Sequence, residues 1–232
     1  RFVQNDYSFD QRQKTVKEGE GFSREVWQNF AELGWLALPF SEEVGGIGGG
    51  PIETMILMEE FGKGLVVEPY LSTILLAGKA LEEAGTSAHK EGLLGEIIAG
   101  SKLGALAFVE PQARFSLNDC TTTATKTDAG YEINGFKGVV LGGPSADVLV
   151  VVARTSGEQK DDAGLTLFLV DANASGVSRR DYPTVDGLRA SEITFEQVVV
   201  NEADVLGEVD GGLSVLEKVI DQAILAVGAE AV

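Results

Sequence analysis

After Ser23 the apolar positions Val26, Trp27, Phe30 and Leu33 recur at the three-and-four spacing of one helical face, and Gly34 ends the run. Ser23 is a plausible N-cap, because its hydroxyl can accept from a free amide of the first turn. A second helix is expected from Pro51, where a first-turn proline is tolerated. Its apolar face is read as Ile52, Met55 and Ile56, continued past Glu59 and Glu60 by Phe61. A third helix is predicted over 69–84, stopped near Gly85, and a fourth from a Thr86 or Ser87 cap to Gly100.

From Gly104 the period changes. Residues 103–109 form a short apolar run, and 119–127 are rich in threonine, whose branched Cβ suits a pleated surface. Asp128-Ala129-Gly130 supplies a turn. Tyr131-Glu132-Ile133 alternates, and Asn134-Gly135 signals a tight hairpin turn. Residues 148–152 and 165–170 read as buried strands around a charged loop at 156–164, and 193–195 with 198–200 complete a mostly antiparallel barrel or sandwich. After Asp210-Gly211-Gly212 the helical period returns with Leu213, Leu216, Ile220, Ala223 and Val227 on one stripe. Such a stripe needs something to pack against. The chain's end at Val232 therefore reads as a truncation, with the stripe left exposed or covered by another chain. The fold class expected is α+β. It comprises a helical segment 1–103, a β-domain 104–208, and the first helix of a further helical bundle over 209–232.

Composition narrows the function classes. With 44% hydrophobic and 23% charged residues the 232-residue chain is an ordinary globular sequence, and no apolar run is long enough for a membrane span. Net charge is −18, which argues against nucleic acid, since phosphates are met by clustered Lys and Arg. A single cysteine, Cys120, excludes an internal disulfide and fits a reducing compartment. Together with a single histidine, His89, it argues against a Cys/His metal site. The first residues carry no apolar signal core and no initiator Met.

The order helices, β-domain, helix carries five collinear motifs. They are Leu33-Gly34-Trp35 to Pro39 followed by Glu42 to Gly48; Phe108-Val109-Glu110-Pro111; Tyr131-Glu132-Ile133-Asn134-Gly135-Phe136-Lys137; Gly187-Leu188-Arg189-Ala190-Ser191 with Phe195; and Val205-Leu206-Gly207 before Gly211-Gly212. In this order they resemble the acyl-CoA dehydrogenase family over essentially the whole chain. Glu110 to Phe115, Phe168 to Ala174 and Gly176 to Arg180 resemble the branch of heteromeric subunits to which the small subunit of pimeloyl-CoA dehydrogenase belongs.

The resemblance implies an FAD-dependent oxidoreductase that removes the α proton and β hydride of an acyl-CoA thioester. It also implies an electron-transferring flavoprotein as acceptor and a homo- or hetero-oligomer. The expected location is the bacterial cytoplasm, or the mitochondrial matrix in a eukaryote. The redox chemistry is the flavin's, and the protein positions it. The family's base usually lies in the last helical domain, so no catalytic residue is assigned here. The resemblance places the flavin against Phe108, Val109, Ser116, Val139, Val140 and Leu141. Departures from the family's pattern matter: Val109 and Leu141 stand where hydroxyl residues are common, and Val139 where a bulky aromatic is common. Gln112-Ala113-Arg114-Phe115-Ser116 replaces a glycine-rich stretch, and Ile224 falls near a usual arginine. Two readings therefore stand: a flavin-bearing dehydrogenase subunit, or a flavin-free, catalytically silent partner in a heteromer.

Other features read more plainly. Gly45 to Gly50 lacks the strand and the Lys-Ser/Thr of a phosphate loop and is a connecting loop. His89 reads as a surface residue, Cys120 as a small packing residue, Asp161-Asp162 as a solvated pair, and Arg189 as a structural ion-pair residue. Arg179-Arg180 suits either CoA phosphates or a solubilising surface.

Overall fold

The computed structural model describes residues 2–232, so Arg1, counted above in the helical segment, lies outside the described residues. The N-terminal layer comprises α1 (Phe2–Asn5), α2 (Phe9–Lys17), α3 (Arg24–Glu32), α4 (Pro51–Gly64), α5 (Lys79–Ala84), α6 (Ser87–His89) and α7 (Gly95–Ile98). Eight strands follow: β1 (Gly104–Ala107), β2 (Thr123–Thr127), β3 (Gly130–Leu141), β4 (Val148–Arg154), β5 (Leu165–Asp171), β6 (Val177–Pro183), β7 (Arg189–Val200) and β8 (Val205–Leu206). The chain ends in α8 (Gly212–Glu230). The expected α+β class is the one observed.

Local chemistry sets the helix starts. The Ser23 side chain accepts from the Val26 amide, and Thr86 accepts from the His89 amide. Pro51 opens α4, with the Glu53 carboxylate accepting from the Gly50 amide at 2.8 Å. The helix expected over 69–84 forms, but its first half, Leu71–Gly78, is wound as a π-helix. The same looser winding recurs at Lys90–Leu94.

The strands pair in the order β6-β7-β3-β2-β4-β5-β8, and β1 adds to β4 in parallel. All other pairings are antiparallel save one β2–β4 bridge. The continuous apolar run of β4 serves two cores by its period of two. Val150 and Val152 face the helices, while Leu149, Val151 and Ala153 join Ile133, Phe168 and Ile193 inside the β-domain. An aromatic cluster holds the helical layer. Phe30 and Phe61 stack with centroids 5.1 Å apart, and the Tyr70 hydroxyl donates to the Trp35 carbonyl at 2.9 Å.

Four sequence-based expectations are corrected. Asn134-Gly135 is not a hairpin turn: both residues lie inside β3, and the β2–β3 turn is at Asp128-Ala129. The buried face of α4 is Thr54, Leu57, Met58 and Phe61, whereas Ile52, Met55 and Ile56 are exposed. The helix is apolar on two sides, and only Phe61 of the expected face is covered. Of the expected α8 stripe, Leu216 and Ala223 are buried and Leu213 and Ile220 half-buried by the rest of this chain. Leu216, Val219, Ala223 and Ala226 pack into the core, and only Val227 of the expected set is exposed. His89 is not simply a surface residue, since its Nδ1 accepts from the Thr86 amide and its side chain is only 13% exposed.

Candidate functional site

The apolar ends of four elements meet at one cleft. The π-helix contributes Leu71 and Leu76, and β1 with its exit contributes Leu106, Phe108 and Val109. Val139 and Leu141 come from β3, and Ile220, Ala223, Ile224 and Val227 from α8. The cleft encloses about 330 Å³. Val109 and Val139 form an antiparallel bridge across its floor, and the Gly138 amide donates to the Val109 carbonyl at 2.9 Å. Four of the six residues expected to contact a cofactor, Phe108, Val109, Val139 and Leu141, are therefore brought together. The other two are not. Val140 alternates to the opposite face and is fully buried in the β-domain core. Ser116 is exposed on the loop after Pro111, its amide donating to the Ala113 carbonyl at 2.9 Å.

Beneath the cleft floor lies a buried polar knot. The Lys137 ammonium donates to Glu110 Oε1 at 2.7 Å, and neither side chain is exposed. The same carboxylate accepts from the amides of Thr121 at 2.8 Å and Thr122 at 3.0 Å, and from Gln112 Nε2 at 2.8 Å. Burial alone would raise the Glu110 carboxyl, but the Lys137 charge and the two threonines hold it well below the usual carboxylate range. Cys120 Sγ packs 3.3 Å from Glu110 Oε1, and burial pushes its thiol up. It is a packing residue, as expected. The knot fixes the backbone at Val109 and Gly138 from behind, so it positions the cleft floor without entering it. Glu110 and Lys137 each stand in a motif quoted above; what the linear sequence withheld was that the two motifs meet.

The remaining charged candidates hold structure. Arg180 pairs with Glu192, Arg179 donates to the Gly143 carbonyl at 3.0 Å, and Asp161 accepts from the Glu158 amide at 2.9 Å. Arg189 is no ion-pair residue: its Nη2 donates to the Val16 carbonyl of α2 at 3.3 Å, tying the β-domain to the helical layer. No group of three or more potential metal-ligating side chains occurs among the described residues.

The chemistry of the cleft follows from its lining. No lining side chain carries a polar or ionisable group. Such a surface favours hydrocarbon, with burial worth roughly 25 cal/mol per Å². An isoalloxazine ring, which the family resemblance implies here, carries carbonyl oxygens and ring nitrogens along its pyrimidine edge. In the placement that the resemblance implies, Val109 and Leu141 would offer these atoms no side-chain partner, so the side chains present do not fit the polar edge of the ring.

The comparisons with known proteins agree with this architecture. Residues 1–101 match the acyl-CoA dehydrogenase N-terminal domain, and residues 105–198 match the acyl-CoA dehydrogenase middle domain. The chain is 32% identical over 222 residues to a mitochondrial isovaleryl-CoA dehydrogenase of Arabidopsis thaliana, covering 92% of this chain and 54% of that protein. It is 33% identical over 222 residues to the caffeyl-CoA reductase-Etf complex subunit CarC of Acetobacterium woodii, covering 94% of this chain and 58% of that protein. The solved structure of the steroid ACAD Tcur3481-Tcur3483 superposes with a TM-score of 0.85 at 27% identity, covering 95% of this chain and 58% of the other. The chain thus spans little more than half the length of the curated relatives it matches. No helix among the described residues is long and apolar enough to cross a membrane. Matched over most of residues 1–198 by two domains of one family, the chain belongs to the acyl-CoA dehydrogenases through its N-terminal and middle domains.

Proposed function

We propose that this chain is part of a subunit of an acyl-CoA dehydrogenase assembly that carries out FAD-dependent α,β-dehydrogenation of an acyl-CoA thioester. In that assembly it serves as the partner that holds no flavin of its own. The units are 1–103, 104–208 and the start of a further helical domain at 209–232. The cleft receives the apolar part of the acyl group, and electrons leave the assembly to an electron-transferring flavoprotein. The reading is carried by the cleft wall, where Val109 and Leu141 present hydrocarbon at the two positions for which the family resemblance implies hydroxyl partners to a flavin. The resemblance to the heteromeric branch that includes the small subunit of pimeloyl-CoA dehydrogenase supports a place in a heteromeric assembly. No lining residue can accept a proton, so the base belongs elsewhere in the assembly.

A second reading, in which this chain itself holds FAD, is favoured by one observation. The Val109–Val139 bridge sets the floor of a cleft of about 330 Å³ beside strand ends whose backbone groups could serve the ring. Flavin content decides between the two. The full-length protein is titrated with FAD alone and with its partner subunit, reading the visible flavin bands and the turnover of acyl-CoA thioesters. The expected result is no FAD bound by the protein alone, and an active assembly carrying flavin only on the partner's account. One FAD per copy of the protein alone would establish the second reading. An assembly inactive on every acyl-CoA thioester tried would remove the proposal.

A further inference from the structure

A second, smaller pocket adjoins the cleft, with Leu71 and Leu141 bordering both. It lies where the loop before α3, the entry to the π-helix and the end of β3 meet, and it measures about 40 Å³, enough for one or two water-sized groups. Unlike the cleft, it has polar side chains in its wall: Glu20, Glu68, Ser72, Ser145 and Arg189 stand there beside apolar residues such as Phe22, Val67 and Leu188.

Two of these residues carry unmet hydrogen-bonding capacity. Glu68 is only 4% exposed; its Oε1 accepts from the Ser23 amide at 3.3 Å, but its buried Oε2 meets no partner. The buried Nε of Arg189 likewise has no acceptor, although Nη2 of the same guanidinium is engaged by the Val16 carbonyl. An unpartnered buried donor or acceptor costs about 1–3 kcal/mol, more when charged. Both residues line the one small pocket, and a group that both accepts and donates could meet the two together.

The backbone around them is shaped to keep this arrangement. A Cβ on Gly21, at φ +86°, would lie 2.4 Å from Arg189 Nε, so only glycine leaves the guanidinium its place. A Cβ on Gly142, at φ +72°, would lie 2.4 Å from Ser72 Oγ. The two serine hydroxyls already donate to local carbonyls, Ser72 to Pro69 at 3.2 Å and Ser145 to Gly142 at 3.3 Å, which leaves their lone pairs free.

We infer that this pocket is a recognition subsite for a single oxygen function, a hydroxyl or carbonyl, on a ligand whose hydrocarbon body lies in the adjoining cleft. Arg189 Nε–H donates to that oxygen, and a hydroxyl donates in turn to Glu68 Oε2. The substrate class is thus an acyl group with an apolar body and one uncharged oxygen substituent. A terminal carboxylate is disfavoured by the neighbouring Glu68. This rests on the reading that the cleft takes an acyl group.

The test uses the full-length protein with its partner subunit and matched pairs of acyl-CoA thioesters, alike except for one distal hydroxyl or keto group. Affinity and kcat/KM are measured for wild type, Glu68→Gln and Arg189→Lys, with thermal unfolding as a check on folding. The expected result is a preference of about tenfold or more for the oxygenated member, since a site built to hydrogen-bond a group rejects the analogue lacking it. Glu68→Gln should weaken the preference for the hydroxyl compound, since a neutral amide oxygen accepts less strongly than a carboxylate, while leaving the keto compound less affected, because only the hydroxyl donates to residue 68. Arg189→Lys should cut both. Equal handling of the two members by wild type, or an unchanged preference in both folded variants, overturns the subsite and leaves the proposed function standing. Failure to bind any thioester would remove the proposed function and the subsite with it.

Discussion

Lys137 Nζ lies 2.7 Å from Glu110 Oε1 with both side chains wholly buried, and this pair joins β3 to the chain leaving β1 directly behind the Val109–Val139 bridge. Removing one partner leaves the other charge buried and alone, which costs about 3–5 kcal/mol. Glu110→Gln and Lys137→Met should each lower stability by that order in chemical denaturation. The double variant should recover part of the loss, because it leaves no unpaired charge. Additive losses would show that the two side chains act independently.

The same pair fixes an acid dependence. The Glu110 carboxyl is lower in the folded protein than its ordinary value of 4.5, so the folded state holds fewer protons there than the unfolded state does. Its stabilising contribution is full above pH 4.5 and is withdrawn as pH falls below that value toward the folded pKa. Glu110→Gln should flatten the acid limb of a stability–pH curve measured from pH 7 downward.

Glu68 has the opposite sign. Burial raises its carboxyl, against the pull of the hydrogen bond it accepts from the Ser23 amide. The folded state therefore binds the proton more tightly, and the contribution present below pH 4.5 is lost as pH rises through the raised value. Glu68→Gln, neutral at every pH, should have a higher Tm than wild type at pH 7 and little advantage near pH 4. Equal Tm values at pH 7 would mean that the carboxylate is stabilised there in some other way.

Much of the element order was legible because the hydrophobic period changes from 3.6 to 2 near Gly104 and back after Gly211. Ser23, Pro51 and Thr86 marked helix starts through chemistry local to the sequence. What failed depended on distant partners. The α4 pattern is apolar on two faces, so periodicity could not choose Leu57, Met58 and Phe61 over Ile52, Met55 and Ile56. Val140 was grouped with its neighbours, although strand alternation alone puts it on the other face. The family motifs brought Phe108, Val109, Val139 and Leu141 to one place and flagged Ile224 as a departure, but nothing in the linear order showed that Leu71 completes the same wall. The unpartnered atoms of Glu68 and Arg189 were invisible for the same reason, since they come from segments over a hundred residues apart.

Asn134-Gly135 shows how a strong local signal is overridden. Asn134 Oδ1 accepts from the amide of Gln197 at 2.8 Å, and Gln197 sits at φ +53° where the β3–β7 register shifts. The pair thus serves a bulge in the neighbouring strand. A Cβ on Gly135 would lie 2.5 Å from Thr122 Oγ1, so the glycine answers close packing and not a turn. Asn134→Ala should cost about 1 kcal/mol through the lost acceptor. Gly135→Ala should cost more, and hydrogen exchange at the Gln197 amide should accelerate in Asn134→Ala. An unchanged exchange rate would show that the side chain does not hold the bulge.

Two glycines test whether α8 is seated on this chain as described. Gly62 in α4 faces the end of α8 so closely that a Cβ there would lie 1.9 Å from the Glu230 carbonyl oxygen. That neighbour is backbone, which cannot swing away, so Gly62→Ala must push the helices apart at a cost of about 1–3 kcal/mol. Gly228 lies in α8 itself and is exposed, and a Cβ added there would have nothing within 4 Å. Replacing such a glycine inside a helix gains about 0.5–1 kcal/mol from the reduced freedom of the unfolded chain. The two substitutions are chemically identical, so intrinsic helix propensity favours alanine in both. Opposite signs in urea denaturation, loss at Gly62 and gain at Gly228, therefore report the packing of α8 on α4 alone. Gains at both sites would mean that α8 does not lie against α4, and the cleft wall formed by Ile220, Ala223 and Val227 would then go with it.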